Sequence, residues 1–374
     1  MKKLKLMTIL GTRPEIIRLS EVIKVNAEHF EHTLTHTGQN YDYTLNQVFF
    51  EEMGIPSPNH YLDVAGAHLG ESLGNIINRS YTLLKEQMPD ALLVLGDTNS
   101  ALSTISAKRL KIPIFHMEAG NRCFDENLPE EVNRRIVDHT SDINLCYSEH
   151  ARRNLLAEGK RPEYTFVTGS PMTEVLMVNM DAIDKSNILK ELQLEPGKFI
   201  LLSAHREENI DIESNFYSLM SAVNQLAEKY DMPIIYSMHP RSSEFINKRG
   251  FKFHENVRSM RPFGFHAYCK LQKHAFCVCS DSGTLPEETG YMDFPAVCIR
   301  TSTERPEAMD KGRFILGGIS AGSLLQAVDL AVKPKRSTSA VTDYIDTNVS
   351  TKVAGIIQSY TEIVNQRIWR KTNV

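Results

Sequence analysis

Short apolar runs alternate with amphipathic stretches along almost the whole chain, and this alternation limits the fold more than any other feature of the sequence. Nearly every residue within the runs is apolar, as in strands that are buried on both faces. Strand–helix alternation of this kind predicts parallel sheets covered by helices. The predicted strands are Leu4–Leu10, Thr33–Thr37, Ala91–Leu95, Ile112–His116, Ile143–Leu145, Thr165–Val167, Phe199–Ser203, Ile234–Ser237, Ala275–Cys279 and Ala296–Ile299.

The strands fall into two series, and Pro and Gly residues interrupt the chain between them, around residues 169–197. We therefore expect an α/β protein with two Rossmann-like domains of doubly wound parallel sheet that face each other across a cleft. The first spans residues 1–170 and is joined by a C-terminal helix at 350–374, and the second spans residues 171–349. The predicted helices include Glu15–Ala27, Ser72–Gln87, Ser100–Leu110, Ser214–Tyr230, Leu324–Val332 and Val349–Trp369.

The charge balance excludes several classes of protein. The 374 residues include 42 Lys and Arg against 46 Asp and Glu, a formal net charge of −4, which argues against a protein that coats nucleic acid or an anionic membrane. No apolar run approaches the ~20 residues that span a bilayer, and the short apolar run after Met1 does not resemble a signal peptide. The composition predicts a soluble cytoplasmic protein with no nucleic-acid or membrane partner.

The candidate metal ligands in the sequence are its cysteines and one histidine motif. Six cysteines are too few for a disulfide scaffold. Cys277 and Cys279 share one face of a predicted strand, but no second Cys or His pair lies nearby at zinc-site spacing, so we favour a buried structural pair. His116 and Glu118 form an H-x-E motif that lacks the P-C-x-x-C half of a zinc deaminase. The sequence predicts no metal site.

The loops that follow the strands should carry the chemistry, because ligands of parallel α/β sheets bind outside the carboxyl ends of the strands. The first such loop is Gly11-Thr12-Arg13-Pro14-Glu15. Amides at a helix start favour an anion, and Arg13 adds a fixed positive charge. The loop matches neither G-x-G-x-x-G nor G-x-x-x-x-G-K-[ST], so nicotinamide dinucleotide and P-loop ATP lose support. An ordinary helix start with a surface arginine explains the loop equally well.

Three acids lie at strand or helix ends in the first half of the chain. Asp97 follows one predicted strand, Glu118 follows its neighbour, and Glu130 opens a helix. Each acid alone is consistent with a helix cap or a solvated charge. Together at the rim of one cleft they indicate general acid/base chemistry, which carboxylates perform when their environments differ.

The second half offers cationic and small residues instead. His205 and His239 each follow a predicted strand, and the turn Ser282-Gly283-Thr284 follows another and leads toward Glu288. Hydroxyls and amides at a strand-to-helix turn can bind an anion, and an acid one turn into the helix can bind ribose hydroxyls. An N-capped helix without a ligand is the alternative. The residues indicate a nucleoside diphosphate sugar held mainly by the second domain, opposite a carboxylate-lined pocket in the first.

A series of motifs, in the same order, resembles the non-hydrolysing UDP-N-acetylglucosamine 2-epimerase family, whose fold is the GT-B arrangement of two Rossmann-like domains. Each motif is weak alone, but together they run nearly from end to end of the chain. They are GTRPE at Gly11–Glu15, HTGQ at His36–Gln39, GDT at Gly96–Thr98, EAG at Glu118–Gly120, PEE-x-NR at Pro129–Arg134, HREEN at His205–Asn209, HP at His239–Pro240, SDSG at Ser280–Gly283 and TERPE at Thr303–Glu307.

The resemblance implies roles for individual residues, a homodimer, and a reaction that uses no metal or other cofactor. The positions that match the family's catalytic group are Asp97, Glu118, Glu130 and His205. The positions that match its UDP-sugar contacts, with the last on the ribose, are Arg13, Arg18, His239, Tyr268, Ser282, Gly283, Thr284 and Glu288.

Departures from the family pattern resemble a narrower branch. Arg18 replaces the usual lysine, Thr284 the usual second glycine after SDSG, and Pro286 the usual glutamine, and a PFGF run occupies Pro262–Phe265. This combination is similar to the UDP-N-acetyl-L-fucosamine synthases of capsule and O-antigen pathways. Those enzymes invert carbon 2 of UDP-2-acetamido-2,6-dideoxy-L-talose.

The family chemistry explains why acids should face an anion site. No ring carbonyl acidifies the hydrogen on carbon 2 of an acetamido sugar, whereas loss of UDP creates oxocarbenium character that acidifies it and that carboxylates stabilise. Elimination gives a 2-acetamidoglycal, and protonation from the opposite face with re-addition of UDP gives the epimer.

Three other activities are compatible with the sequence. A 2-epimerase that converts UDP-N-acetylglucosamine to UDP-N-acetylmannosamine would use the same motifs. A GT-B glycosyltransferase would require an acceptor and would not exchange substrate hydrogen with solvent. A non-catalytic sugar-nucleotide sensor would bind UDP without turnover, and the three acids argue against it.

Overall fold

The computed structural model describes residues 3–38, 47–333 and 340–371. The chain divides into two compact units, of which the first combines Met1–Met177 with Asp343–Val374 and the second is Val178–Thr342. In each unit the strands alternate with helices and pair in parallel, as the apolar runs predicted.

The first unit contains, over the described residues, a seven-stranded parallel sheet. Its strands are β1 Lys5–Leu10, β2 Glu31–His36, β3 His60–Tyr61, β4 Ala91–Leu95, β5 Ile114–Met117, β6 Ile143–Cys146 and β7 Thr165–Val167. Their spatial order is β3-β2-β1-β4-β5-β6-β7. The helices are α1 Arg13–His29, α2 Gln47–Met53, α3 Leu69–Gln87, α4 Ser103–Arg109, α5 Pro129–Thr140, α6 Glu149–Ala157, α7 Met172–Lys185 (which ends in the second unit) and α16 Val349–Arg367.

The second unit contains, within the described part of the chain, a six-stranded parallel sheet. Its strands are β8 Ile200–Ser203, β9 Ile234–Ser237, β10 Val257–Met260, β11 Cys277–Ser280, β12 Ala296–Cys298 and β13 Ile315–Leu316. Their order is β10-β9-β8-β11-β12-β13. The helices are α8 Ile188–Glu191, α9 Glu207–Ile210, α10 Glu213–Tyr230, α11 Pro240–Arg249, α12 Phe265–His274, α13 Leu285–Met292, α14 Pro306–Asp310 and α15 Ala321–Ala331.

Both sheets are buried on two faces, which explains their continuous apolar strands. In β1 the adjacent residues Leu6 and Met7 point to opposite faces, yet both are almost fully buried. In β11 Cys277 and Cys279 pack in the same hydrophobic core as Phe216 of α10, so the two thiols are core side chains. Burial of each large apolar side chain contributes about 1.5–3 kcal/mol.

The C-terminal helix α16 belongs to the first unit. It packs against α1, and its residues Val349, Val353 and Ile357 are fully buried. Its first turn is held by Glu174, whose carboxylate accepts a hydrogen bond from the Ser350 amide at 2.9 Å. The first helix of the unit, α1, therefore packs against α16, which comes after the whole of the second unit in the sequence.

The predicted α/β class is confirmed, and the strands that the sequence did not reveal are β3, β10 and β13. Each of them lies at an edge of its sheet. The predicted helix from Ser100 begins differently, because Asn99–Leu102 form a 3₁₀ turn before α4.

Candidate active site

In each sheet there is one point from which successive strands are added in opposite directions. Several of the predicted site residues follow the two strands that flank this point. In the first unit this point lies between β1 and β4, which precede Arg13 and Asp97. In the second it lies between β8 and β11, which precede His205 and Ser282. Ligands of open α/β sheets bind at such switch points.

Glu118 is buried and fixed by an ion pair. Its side chain is 8% exposed, and Arg18 Nη1 donates to Glu118 Oε2 at 2.5 Å. Its backbone is left-handed, with φ of 64°, a conformation uncommon for a residue with a side chain. Gly96 makes room for the carboxylate, because a Cβ at position 96 would lie 3.0 Å from Glu118 Oε2. The loops after β4 and β5 are thus fitted to one orientation of Glu118.

Asp97 lies in the loop after the strand next to that of Glu118 and is held by a different arginine. Leu95 and Met117, which precede the two acids, are paired across β4 and β5. Arg134 donates to Asp97 Oδ2 from Nε at 2.9 Å and from Nη2 at 2.6 Å. The Asn133 amide donates to the Asp97 carbonyl at 3.0 Å. The start of α5 is therefore tied to the loop that carries Asp97.

Glu130 and Glu131 open α5, and only the first is accessible to solvent. Glu130 is partly exposed. Glu131 is fully buried and accepts hydrogen bonds from the Cys123 and Phe124 amides and from Arg134. Burial alone would raise the pKa of Glu131, but the hydrogen bonds from Cys123 and the charge of Arg134 hold it below its usual range. Glu131 is a structural anchor of the loop before α5.

Glu15 organises the loop that carries Arg13. It is 1% exposed and accepts hydrogen bonds from the Gly11 amide at 3.1 Å, the Thr12 hydroxyl at 2.8 Å and the Ser100 hydroxyl at 2.6 Å. Burial raises the pKa of Glu15 to about 7. Arg13, at the first position of α1, lies with its guanidinium carbon 5.6 Å from the centre of the Phe49 ring.

We expect Glu15→Gln to change how stability depends on pH. The pKa of Glu15 rises from 4.5 to about 7 on folding, so the unfolded chain loses this proton at a lower pH than the folded protein does. The free energy of unfolding contributed by Glu15 therefore falls as the pH rises from 4.5 to about 7. Gln does not titrate. Relative to the wild type, the variant should gain about 2 kcal/mol in free energy of unfolding between pH 5 and pH 8. Urea unfolding at both pH values checks this, and a difference independent of pH would contradict it.

In the second unit, Asp281 organises the loop that carries His205. Its carboxylate is fully buried, accepts hydrogen bonds from the His205 and Arg206 amides at 2.8 and 2.9 Å, and lies 3.1 Å from His205 Nδ1. Burial alone would raise the pKa of Asp281, but the charge of the His205 ring and the amide donors hold it well below its usual range. Because Nδ1 faces Asp281, Nε2 is the ring nitrogen left to face a ligand.

The turn after β11 has the hydroxyls and the small residue that the sequence indicated. The Ser282 and Thr284 hydroxyls lie 2.8 Å apart, and a Cβ at Gly283 would lie 3.1 Å from Glu304 Oε1. Glu288 is 6% exposed and accepts a hydrogen bond from the Gln272 amide at 2.6 Å. The turn is compact, and the acid predicted for the ribose has a fixed orientation.

His239 and Tyr268 follow neighbouring strands of the same sheet. His239 caps α11, its Nδ1 accepting from the Arg241 amide at 3.3 Å, and its ring centre lies 5.9 Å from that of His205. Tyr268 lies partly exposed in α12, which begins soon after β10. Gln39 of the HTGQ motif lies outside the described residues.

The sequence predicted candidate side chains at strand ends but did not identify the residues that hold them, namely Arg134, Glu131 and Asp281. Glu131 is adjacent to Glu130, and Asp281 is adjacent to Ser282. Each motif therefore contains an acid with no predicted role in the reaction, and this was the available signal of a structural acid. Nothing in the sequence pattern pointed to Arg134 as the partner of Asp97.

In residues 3–38, 47–333 and 340–371, no three His, Cys, Asp or Glu side chains are arranged so that they could hold a metal ion. No described helix has both the length and the apolar character needed to cross a membrane.

Comparisons with known proteins find similar sequences and structures over most of the chain. The family model described as UDP-N-acetylglucosamine 2-epimerase matches residues 24–358. The solved structure of a UDP-N-acetylglucosamine 2-epimerase from Rickettsia bellii is 46% identical, covers 99% of this chain and 100% of its own, and superposes with a TM-score of 0.92.

Two further relatives are more distant. The structure of the Methanocaldococcus jannaschii UDP-GlcNAc 2-epimerase in complex with UDP-GlcNAc and UDP is 31% identical, covers 95% of this chain and 99% of its own, and has a TM-score of 0.90. A UDP-2,3-diacetamido-2,3-dideoxy-D-glucuronate 2-epimerase from Pseudomonas aeruginosa is 31% identical, over 87% of this chain and 91% of its own.

Proposed function

The chain belongs to the UDP-N-acetylglucosamine 2-epimerase family and is a UDP-sugar 2-epimerase, and from this premise we propose that it converts UDP-2-acetamido-2,6-dideoxy-L-talose to UDP-N-acetyl-L-fucosamine. The observation that carries the catalytic part is the position of Asp97 and Glu118 in the loops after the adjacent strands β4 and β5, each acid held by its own arginine. Two oriented carboxylates suit a reaction that removes a proton from one face of carbon 2 and returns it to the other.

The first step is elimination of UDP. Arg13, His205 and the turn Ser282–Thr284 stabilise the leaving diphosphate, and a donor in such a role contributes about 2.7–4 kcal/mol to barrier lowering. Glu288 holds the ribose. The neighbouring hydroxyls of Ser282 and Thr284 and the fixed His205 ring support this assignment.

The carboxylates act on the sugar. Asp97, Glu118 and Glu130 supply the base that removes the carbon-2 proton, the acid that returns it from the opposite face, and the negative charge that stabilises the oxocarbenium-like state. The buried ion pair of Glu118 with Arg18 supports a fixed distance to carbon 2.

The substrate assignment rests on the branch resemblance. Arg18, Thr284 and the PFGF run at Pro262–Phe265 are the residues that support it, and the Pseudomonas aeruginosa relative, named for a different UDP-sugar, supports variation of the sugar within the family. On the same resemblance we place the enzyme in capsule or O-antigen polysaccharide synthesis, as a cytoplasmic homodimer without a cofactor.

A second candidate substrate is UDP-N-acetylglucosamine, with UDP-N-acetylmannosamine as the product. The name of the Rickettsia bellii protein, 46% identical to this chain, favours it. A site that hydrogen-bonds the 6-hydroxyl would reject a 6-deoxy sugar strongly, whereas an apolar surface at that position discriminates weakly.

Both substrates can be compared in one experiment. The purified protein is incubated with each UDP-sugar in deuterium oxide, and the products are followed by NMR. We expect deuterium at carbon 2 of the product and a higher kcat/KM for the 6-deoxy-L-talo compound. Turnover of the gluco compound as well or better would transfer the assignment to the second candidate. Product with only protium at carbon 2 would exclude elimination and re-addition.

A further inference from the structure

A buried histidine–aspartate pair that no step of the proposed mechanism uses lies between the two loops that carry Asp97 and Glu118. It consists of His116 on β5 and Asp138 on α5, and both side chains are fully buried. His116 Nδ1 lies 2.9 Å from Asp138 Oδ1. We call these two residues the His116–Asp138 pair.

One side of the pair holds the loop after β4. His116 Nε2 lies 2.9 Å from the Gly96 carbonyl oxygen, and because a carbonyl only accepts, the ring donates. Gly96 immediately precedes Asp97 and has φ of 71°. The direction in which the chain enters Asp97 is thus fixed by a side chain from the neighbouring strand.

The other side holds the loop after β5. The Gly120 amide donates to both oxygens of Asp138 at 3.2 Å, and Arg122 Nη1 donates to Oδ2 at 2.7 Å. Burial alone would raise the pKa of Asp138, but the contact with His116 and the charge of Arg122 lower it. Arg122 is itself held by two hydrogen bonds to Glu158, at 2.8 and 2.6 Å.

The backbone between these anchors is in a conformation that needs support. Glu118 and Gly120 have φ of 64° and 83°, and a left-handed backbone is strained at a residue other than glycine. Such a conformation persists only where surrounding contacts determine it. The His116–Asp138 pair contacts the backbone of both loops, at Gly96 before Asp97 and at Gly120 after Glu118.

We propose that the His116–Asp138 pair is the positioning element that sets the orientation of Asp97 and Glu118 relative to each other. Neither member touches the substrate, and the pair acts through the Gly96 carbonyl and the Gly120 amide. The inference rests on the proposed roles of Asp97 and Glu118. It predicts that damage to the pair slows the chemical step without weakening UDP binding, since misplacement by about 1 Å can cost about 10²-fold in rate.

The test compares Asp138→Asn with a matched control, Asp142→Asn. Asp142 is also a buried aspartate that contacts β5, but it accepts from the Ile114 amide at 3.0 Å, at the opposite end of that strand, and from Lys108. We expect Asp138→Asn to lower kcat by about 10²-fold, with KM and the calorimetric affinity for UDP unchanged, and Asp142→Asn to retain wild-type kcat. Circular dichroism and thermal unfolding monitor the fold of both.

If Asp138→Asn does not fold, His116→Gln and His116→Ala test the same positioning role. His116→Gln retains a donor for the Gly96 carbonyl and loses only the contact with Asp138, so it should fall between the wild type and His116→Ala in kcat. Where Asp138→Asn does fold, the loss in the double variant, His116→Gln with Asp138→Asn, should equal that of Asp138→Asn alone, since the effects of residues that act as a unit are not additive.

Two results would overturn the inference. One is a wild-type kcat in a folded Asp138→Asn or His116→Ala enzyme, and the other is an equal loss in Asp142→Asn. The proposed function is tested separately by Glu118→Gln. If that variant is inactive while Asp138→Asn has wild-type kcat, only the positioning role fails, and if Glu118→Gln is fully active, the proposed catalytic role of Glu118 fails first.

Discussion

Glu118→Gln should lower kcat by about 10²–10⁴-fold, the range for removal of a general acid or base. Gln keeps the shape of the side chain, and its carbonyl oxygen can still accept from Arg18, which lies 2.5 Å from the native carboxylate. What is lost is the charge and the ability to exchange a proton with carbon 2. The affinity for UDP should be unchanged, because the proposed diphosphate contacts are made by other residues. Steady-state kinetics with calorimetric titration of UDP checks both expectations.

The chain offers a matched control for this variant. Glu174 is a glutamate of the same unit with similar exposure, 9%, and its carboxylate binds Ser350 at the start of α16. We expect Glu174→Gln to keep the wild-type kcat. If Glu118→Gln also keeps it, Glu118 neither removes nor returns the proton, and the ion pair with Arg18 has only a structural role.

Arg13→Ala should lower kcat by roughly 10²–10³-fold, as for loss of one donor to a developing anion. Arg13 begins α1 directly after β1, where helix amides already favour an anion, and its guanidinium adds the charge that a departing diphosphate requires. The deuterium content at carbon 2 of the remaining product should be unchanged, since the proton transfers use other groups.

Arg152→Ala is the control for the loss of an arginine. Arg152 also lies near the start of a helix of the first unit, is partly exposed, and pairs with Glu149 at 2.7 Å. We expect it to be fully active. Near-wild-type activity of Arg13→Ala would instead leave Arg13 as an ordinary residue at the start of a helix.

The strands that sequence patterns missed all lie at sheet edges, although the edge strand β7, with residues Thr, Phe and Val, was predicted. Central strands such as β4 and β11 are buried on both faces and therefore almost entirely apolar. The missed strands β3 and β10 contain His60 or Arg258 and are partly exposed. An edge strand is defined by its pairing with a neighbour, and its composition carries little signal.

The same limit applies to the site. The position of a candidate residue after a strand follows from the strand itself, so the places of Asp97 and His205 in the fold could be predicted. Their partners come from distant parts of the chain: Arg134 is 37 residues from Asp97, and the amide of His205 binds Asp281, 76 residues away. Such contacts depend on how helices and strands pack together, and a single sequence contains no direct record of that packing.

The position of α16 has a consequence for synthesis on the ribosome. The strands of the first unit are made before any part of the second, yet α1 is covered only when Val349, Val353 and Ile357 have emerged and packed. Domains generally fold as units while the chain is being made. The second unit, which is continuous in sequence from Val178 to Thr342, can therefore complete its core first, and the unit whose synthesis begins earliest is the last to be finished.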